Sequence, residues 1–197
     1  FLTSTASVEV DLARGTASDG LGGVDVLRNI DRAHGSDFDD VIIGSDAANR
    51  LFGFDGADTI LSGAGRDTMA GGAGGDTYIV AAGDGYELIN DLGSSDGGAD
   101  TVIFAGYAAA AATVLRQSPA NENVVVRFDG TDDYIVLANT LDAGHASAIE
   151  RFEFADGTVW TQAQLVANIG QIGVETPVAP LEFTRTVDGT PGNDRLE

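Results

Sequence analysis

The chain contains no cysteine and no lysine, and no apolar run approaches the ~20 residues that a membrane-spanning helix needs. Without cysteine, disulfides and thiolate metal sites are both excluded, so stability outside a cell must come from packing or from a bound metal. Histidine is nearly absent too. His34 and His145 stand isolated in sequence, which leaves a zinc centre without ligands. Bases are scarce: ten, all arginine, face 31 acids, for a formal net charge of −21 over 197 residues. That sign argues against a nucleic-acid partner. No basic segment followed by an apolar one opens the chain, so no signal peptide is visible. The first residue is not Met and the last nine, GTPGNDRLE, stop inside a repeat, so a piece of a longer protein, with parent domains on both sides, is expected.

Glycine and isolated acids are plentiful. A hydrophobic content of 43% is too high for a disordered acidic chain, and the acids sit singly among 27 glycines instead of forming solvated blocks. Carboxylates brought close together in a folded chain then call for a cation.

Between Gly35 and Ile79 one nine-residue pattern runs five times without a gap: GSDFDDVII, GSDAANRLF, GFDGADTIL, SGAGRDTMA and GGAGGDTYI. Position six is an acid or amide (Asp40, Asn49, Asp58, Asp67, Asp76), and position eight is always large and apolar (Ile42, Leu51, Ile60, Met69, Tyr78). Anchors nine residues apart cannot line one face of a 3.6-residue helix. They suit a stack of turns, each with a loop and a short strand. After a two-residue slip, Ala82–Asn90 reads as a sixth copy with Glu87 at position six. Two copies make one turn of a flattened coil, so alternate loops share an edge at the ~4.8 Å spacing of strands. One edge stacks Asp40, Asp58 and Asp76; the other stacks Asn49, Asp67 and Glu87.

The loops predict the ion. Glycines at positions one, two and four permit positive φ and let carbonyls converge, and the position-six acid adds a carboxylate. Flexible all-oxygen coordination of that kind is calcium's preference. Carboxylates stacked without a cation would repel by several kcal/mol at an intermediate dielectric, about the 4 kcal/mol of a close pair.

Elsewhere, Ser7–Leu12 alternates as a lead-in strand, Gly20–Arg28 matches the pattern as a degenerate first repeat, and the offset Asn29–His34 that separates it from the main run is expected to loop out or to begin the stack. Strands are expected at 99–104, 113–117, 123–128 and 134–138, the last two joined by Asp129-Gly130-Thr131-Asp132. A hairpin is expected over 149–160. Thr161 to Gln164 forms a capping box, with Trp160 and Leu165 as a staple, predicting a helix at 162–169. The organisation expected is a lead-in with a degenerate repeat (1–34), the roll (35–91), a β-rich cap (92–170), a linker (171–186) and a restarted repeat (187–197).

The tandem pattern resembles the RTX repeats of haemolysin-type calcium-binding proteins, which are exported by type I secretion. GDGYELIND (83–91), ADTVIF (99–104) and IERFEFADGTVW (149–160) resemble the segments that end and follow such repeats, so the likeness covers roughly residues 20–165. It implies an all-β, right-handed parallel β-roll with a C-terminal antiparallel β cap and one short helix. It also implies three to five Ca2+ ions between loops two copies apart. The implied ligand set is Asp40, Asn49, Asp58, Asp67, Asp76, Glu87 and Asp100, with loop positions Gly53, Gly56, Gly63, Gly65, Gly72, Gly74, Gly83 and Gly85. Asp55, at position three like Asp37 and Asp46, is either a further ligand or solvated. Phe38 and Ala47 at position four, and Asn49 at position six, point to weak sites in the first two copies.

The function implied is a secreted calcium-binding module that folds outside the cell and stabilises a larger protein. The alternative is a calcium-dependent polysaccharide-binding or adhesion module attached to an extracellular polysaccharide-modifying enzyme or adhesin; clustering of arginines on one face would favour an anionic polysaccharide. No zinc-protease motif or lipase elbow is present, so catalysis is not expected here. Position-nine Ile43, Leu61 and Ile79 predict an apolar outer stripe, to be covered by the segment after residue 100 or by a neighbouring chain.

Overall fold

The computed structural model describes residues 4–91, 98–141 and 149–170. The linker expected at 171–186, the restarted repeat at 187–197 and His145 lie outside the described residues. In chain order the strands are β1 (Glu9–Asp11), β2 (Thr16–Ser18), β3 (Val24–Val26), β4 (Arg32–His34), β5 (Val41–Ile43), β6 (Arg50–Asp55), β7 (Thr59–Leu61) and β8 (Gly65–Ala73). They continue with β9 (Thr77–Ala81), β10 (Gly85–Ile89), β11 (Thr101–Ala105), β12 (Ala112–Arg116), β13 (Val124–Phe128), β14 (Tyr134–Leu137), β15 (Arg151–Phe154) and β16 (Val159–Thr161), before the helix α1 (Gln162–Ala167).

The nine-residue period sorts these strands into two sheets. Odd copies pair in parallel within a nine-stranded sheet, where Ile42, Ile60 and Tyr78 stand in register. Even copies do the same in a seven-stranded sheet, with Ala33, Leu51, Met69 and Ile89 aligned. The offset between neighbours is two copies, as between Ile42 and Ile60, and it lengthens where Met69 faces Ile89 because of the two-residue slip. All five position-eight side chains are fully buried between the sheets. Each such burial contributes about 1.5–3 kcal/mol, which holds the sheets face to face. The fold is a parallel β-roll.

Both ends depart from simple repetition. β1 adds in parallel beside β5, placing Val10 against Ile42. Gly20–Arg28 does not begin the stack: β3 pairs antiparallel with β2 at the sheet's edge, and Val24 and Val26 are exposed. The roll's preceding turn is instead Val26–His34, the nonapeptide frame directly upstream of Gly35, which puts Ala33 inward beneath Leu51. At the other end β14 and β15 add parallel rungs to β10 and β11. The antiparallel pairs β12–β13–β14 and β15–β16 then close the two sheets. Phe104, Phe128, Phe152 and Phe154 fill the interior there, with Trp160 edge-on to Phe154 at 4.5 Å. The capping box is formed: the Gln164 amide donates to the Thr161 hydroxyl at 3.3 Å, and the Thr161 amide to the Gln164 side chain at 2.8 Å. Leu165 is fully buried beneath it.

The outer stripe exists, and the described strands after residue 100 do not fold back over it. Ile43, Leu61 and Ile79 align on the face of the nine-stranded sheet, half-buried, and Ile103 extends them. Among the described residues after 100, β11, β15 and β16 extend that sheet edge-on and β12 to β14 extend the other, because each strand finds backbone partners along a sheet edge. No described helix is long and apolar enough to cross a membrane.

Candidate metal centre

Strand register turns the position-six acids into two columns. On one edge, each backbone amide in the column donates to the carboxylate of the next turn. Asp40 donates to Asp58 Oδ1 (2.8 Å), Asp58 to Asp76 Oδ1 (2.8 Å), Asp76 to Asp100 Oδ1 (2.8 Å) and Asp100 to Glu150 Oε2 (2.7 Å). The column begins where Val8 donates to Asp40 Oδ1 at 2.7 Å. On the other edge the Asn49 amide donates to Asp67 Oδ1 at 2.7 Å, and Glu87 stands in register with Asp67. All of these position-six side chains are buried, none more exposed than the 5% of Asp100.

One hydrogen bond satisfies one oxygen. Asp58 Oδ2, Asp67 Oδ2 and both oxygens of Glu87 are buried and accept no hydrogen bond. An uncompensated buried carboxylate costs several kcal/mol, about 3–5 when a partner has been removed, so these atoms mark where a further group is needed. The carboxyls respond accordingly. Burial, reinforced by neighbouring acids, pushes Asp58 and Asp67 up to about 7, Asp100 to about 8 and Glu87 to about 9.

The surrounding loops offer backbone oxygens. Positions two and four take positive φ in the later copies, at Phe54 and Gly56, Gly63 and Gly65, Gly72 and Gly74, and Gly83 and Gly85. Glycine is required by closeness as well as by φ: a β-carbon on Gly74 would collide with the Gly56 carbonyl oxygen, and one on Gly72 with that of Phe54. Position-one Gly53 is not left-handed, but a β-carbon there would strike Asp58 Oδ2. Among the described residues no three acid or imidazole side chains converge as a ready-made metal cluster. A cation between turns would therefore take most of its ligands from loop carbonyls, a donor set that fits calcium and does not fit zinc.

The family model for the RTX calcium-binding nonapeptide repeat matches residues 34–69 and 52–86. The chain carries RTX calcium-binding repeats. A model of the haemolysin-type calcium binding protein related domain matches residues 123–164, beyond the RTX turns. No curated protein matches the chain. Among solved structures it is similar to the AlgE6R3 subunit of the Azotobacter vinelandii mannuronan C5-epimerase. The two are 22% identical with a TM-score of 0.45, over 90% of this chain and 98% of that one.

Within the RTX array the first two loops differ from the later ones. Ser36 donates its amide and hydroxyl to the Asp40 carboxylate, and the Ser45 amide donates to Asn49 Oδ1 at 2.6 Å. Ser36, Phe38, Ser45 and Ala47 all keep negative φ. These loops satisfy their own position-six oxygen with an internal amide, where Asp58 and Asp67 leave one open. Asp55 lies exposed, outside the column.

Three acids escaped sequence reasoning. Asp133 accepts from the Gly83 and Gly85 amides at 3.1 and 2.9 Å and from the Tyr107 hydroxyl, closing the sixth loop from about fifty residues away. Glu150 ends the first column through the Asp100 amide. Asp91 accepts from Gly72 and from the Tyr78 hydroxyl, both at 3.1 Å. Only the ending signature around Asp91 carried any local sign of such a role.

Proposed function

We propose that calcium completes this fold: the module stays unfolded where calcium is scarce and folds outside the cell, stabilising a larger secreted protein. The observation that carries the reading is the set of buried, unsatisfied oxygens on Asp58, Asp67 and Glu87, set beside left-handed loops. The ligands assigned are Asp58, Asp67, Asp76, Glu87 and Asp100. The carbonyls of the loops holding Gly53, Gly56, Gly63, Gly65, Gly72, Gly74, Gly83 and Gly85 complete the sites. Asp40 and Asn49 belong to weak sites. Three strong sites follow, one for each gap between successive later loops on an edge. The role is binding, and catalysis belongs to other domains of the parent. Extracellular calcium modules bind at ~10⁻⁴–10⁻³ M, so a chain with such affinities is empty in the cytosol, competent for type I export, and loaded outside. Far-UV circular dichroism at pH 8 tests this: β-structure should form in millimolar calcium and disappear in excess chelator. A roll that persists in chelator refutes the coupling.

A second reading is favoured by one observation. The outer face of the seven-stranded sheet gathers Arg32, Arg50, Arg66 and Arg127, and no Asp or Glu shares their outward register on β4, β6, β8, β10, β13 or β14; the exposed Asp55 lies at the end of β6. One rung runs Arg66, Tyr86, Tyr134, Arg127. The Arg66 guanidinium lies 4.5 Å from the Tyr86 ring centroid, and the two tyrosines stack at 5.6 Å. In a chain this acidic, such segregation suits a polyanion with apolar ring faces, so we propose an anionic polysaccharide as the ligand of this face. The rung spans three strand spacings, roughly 14 Å. Calorimetry with a short oligogalacturonate in calcium buffer should show binding that falls at least tenfold in the R66Q/R127Q double variant. Equal binding of neutral dextran, or an unchanged double variant, would sink this reading.

A further inference from the structure

Position two of the nonapeptide is glycine in three of the later loops, at Gly63, Gly72 and Gly83, with φ of 76°, 112° and 96°. Phe54 holds the same position at φ 90°, where a β-carbon strains the backbone. Glycine serves this turn elsewhere, so the ring of Phe54 answers to something other than the turn. β6 carries it to the outer face of the seven-stranded sheet with Phe52 and Arg50, in alternation with the buried Leu51 and Gly53. His34, in register with Phe52 on β4, stands edge-on to both rings, 5.1 Å from that of Phe52 and 5.3 Å from that of Phe54.

Beside these rings the sheet is bare. β8 sets Ala70 opposite Phe52 and Gly72 opposite Phe54. Two large side chains next to two of almost none leave a slot of about 300 Å³, with Phe52 and Phe54 as its wall and Ala70 and Gly72 on its floor. That volume is where ligand pockets begin. Asp55, which the calcium columns leave exposed, lines the slot past Phe54. At the other end Arg50 precedes Phe52 by two residues on the same face, and the Arg32 guanidinium lies 6.0 Å from the Phe52 ring centroid. The slot therefore runs from cations, past aromatic rings, to a single carboxylate.

We propose that this slot seats one uronate ring, its apolar face on Phe52 and Phe54, its carboxylate toward Arg32 and Arg50, and its hydroxyls donating to Asp55. Asp55 repels the carboxylate, so the ring enters one way round and the polymer gains a direction. The inference rests on the polysaccharide reading above and adds a ring-sized subsite to that face. Ala70 lies four residues from Arg66 along β8, roughly 13 Å, so a single oligomer reaches both the slot and the arginine–tyrosine rung. Calorimetry with oligogalacturonate in calcium buffer tests the slot through Phe54→Gly. Glycine is what the other loops use there, so β-structure should form in calcium as before while affinity falls about fivefold or more. Ala70→Leu fills the floor, leaves the rings in place and should weaken binding equally. Unchanged affinity in F54G and A70L, alongside the loss expected of R66Q/R127Q, would overturn the slot alone. No binding of oligogalacturonate by the unaltered protein would overturn the polysaccharide reading, and the slot with it. Should either variant fail to fold, nuclear Overhauser contacts in the unaltered protein decide. Contacts from sugar ring protons to the Phe52 and Phe54 rings are expected, and their absence at saturating oligogalacturonate overturns the proposal.

Discussion

Replacing Asp76 by asparagine should raise the calcium concentration needed for folding by more than tenfold, whereas the same change at Asp40 should move it less than about threefold. Asp76 is shared by two gaps, one toward Asp58 and one toward Asp100. Its Oδ1 accepts from the Asp58 amide and its own amide donates to Asp100, both at 2.8 Å. Asparagine preserves an acceptor oxygen and nearly the volume, so the ladder can survive while a negative charge is removed from both gaps. A site filled at tenfold excess over its Kd contributes about 1.4 kcal/mol through RT ln(1 + [L]/Kd). Weakening two such sites removes about 3 kcal/mol, a large fraction of the ~5–15 kcal/mol that separates a folded domain from its unfolded chain. Asp40 presents the contrast. Its oxygens are already taken by the Val8 amide and by the Ser36 amide and hydroxyl, so its charge is compensated without a cation. Circular dichroism during calcium titration of both variants is the measurement, and equal shifts would contradict the division of the array into early and late loops.

The repeating part of the fold was readable because position eight is strictly apolar and the period is constant. Those two facts place Ile42, Leu51, Ile60, Met69 and Tyr78 inside and set the two-copy offset. The same arithmetic left open whether the offset Asn29–His34 loops out or begins the stack, because the inward residue of the turn Val26–His34, Ala33, is small and its loop lacks the glycine pattern. Gly20–Arg28 has the glycines but not the frame, and its strand found an antiparallel partner in β2. Position-six residues are legible one at a time, whereas their closing partners are not. Asp133 reaches Gly85 across 48 residues, and Glu150 reaches Asp100 across 50. No local pattern encodes such pairings; they follow from how β14 and β15 extend the two sheets. The arginine face had a similar fate. Arg66 and Arg127 are 61 residues apart and look dispersed until β8, β10, β14 and β13 lay them along one rung.

Acidification should stabilise the calcium-free roll and weaken the calcium-loaded one. In the absence of calcium, burial raises Asp58 and Asp67 to about 7, Asp100 to about 8 and Glu87 to about 9, against ordinary carboxyl values near 4. The folded state then binds more protons than the unfolded chain across the interval from about pH 4 to pH 9. The stability these groups contribute is fully present below their unfolded values and is lost as pH rises through the folded ones. Each contributes a slope of at most about 1.4 kcal/mol per pH unit. The chelated protein should consequently gain β-structure and melt higher at pH 5 than at pH 8. Calcium reverses the sign of the effect, because the ion occupies the oxygens that the protons would hold, and its binding must release those protons. Its apparent affinity should fall as pH drops below about 7, so the calcium-dependent rise in Tm should be large at pH 8 and shrink toward pH 5. Thermal melts at the two pH values, with calcium and with chelator, give four curves that test both halves of this argument. A chelated protein that melts higher at pH 8 than at pH 5 would show that the buried acids do not titrate as the calcium-free loops require.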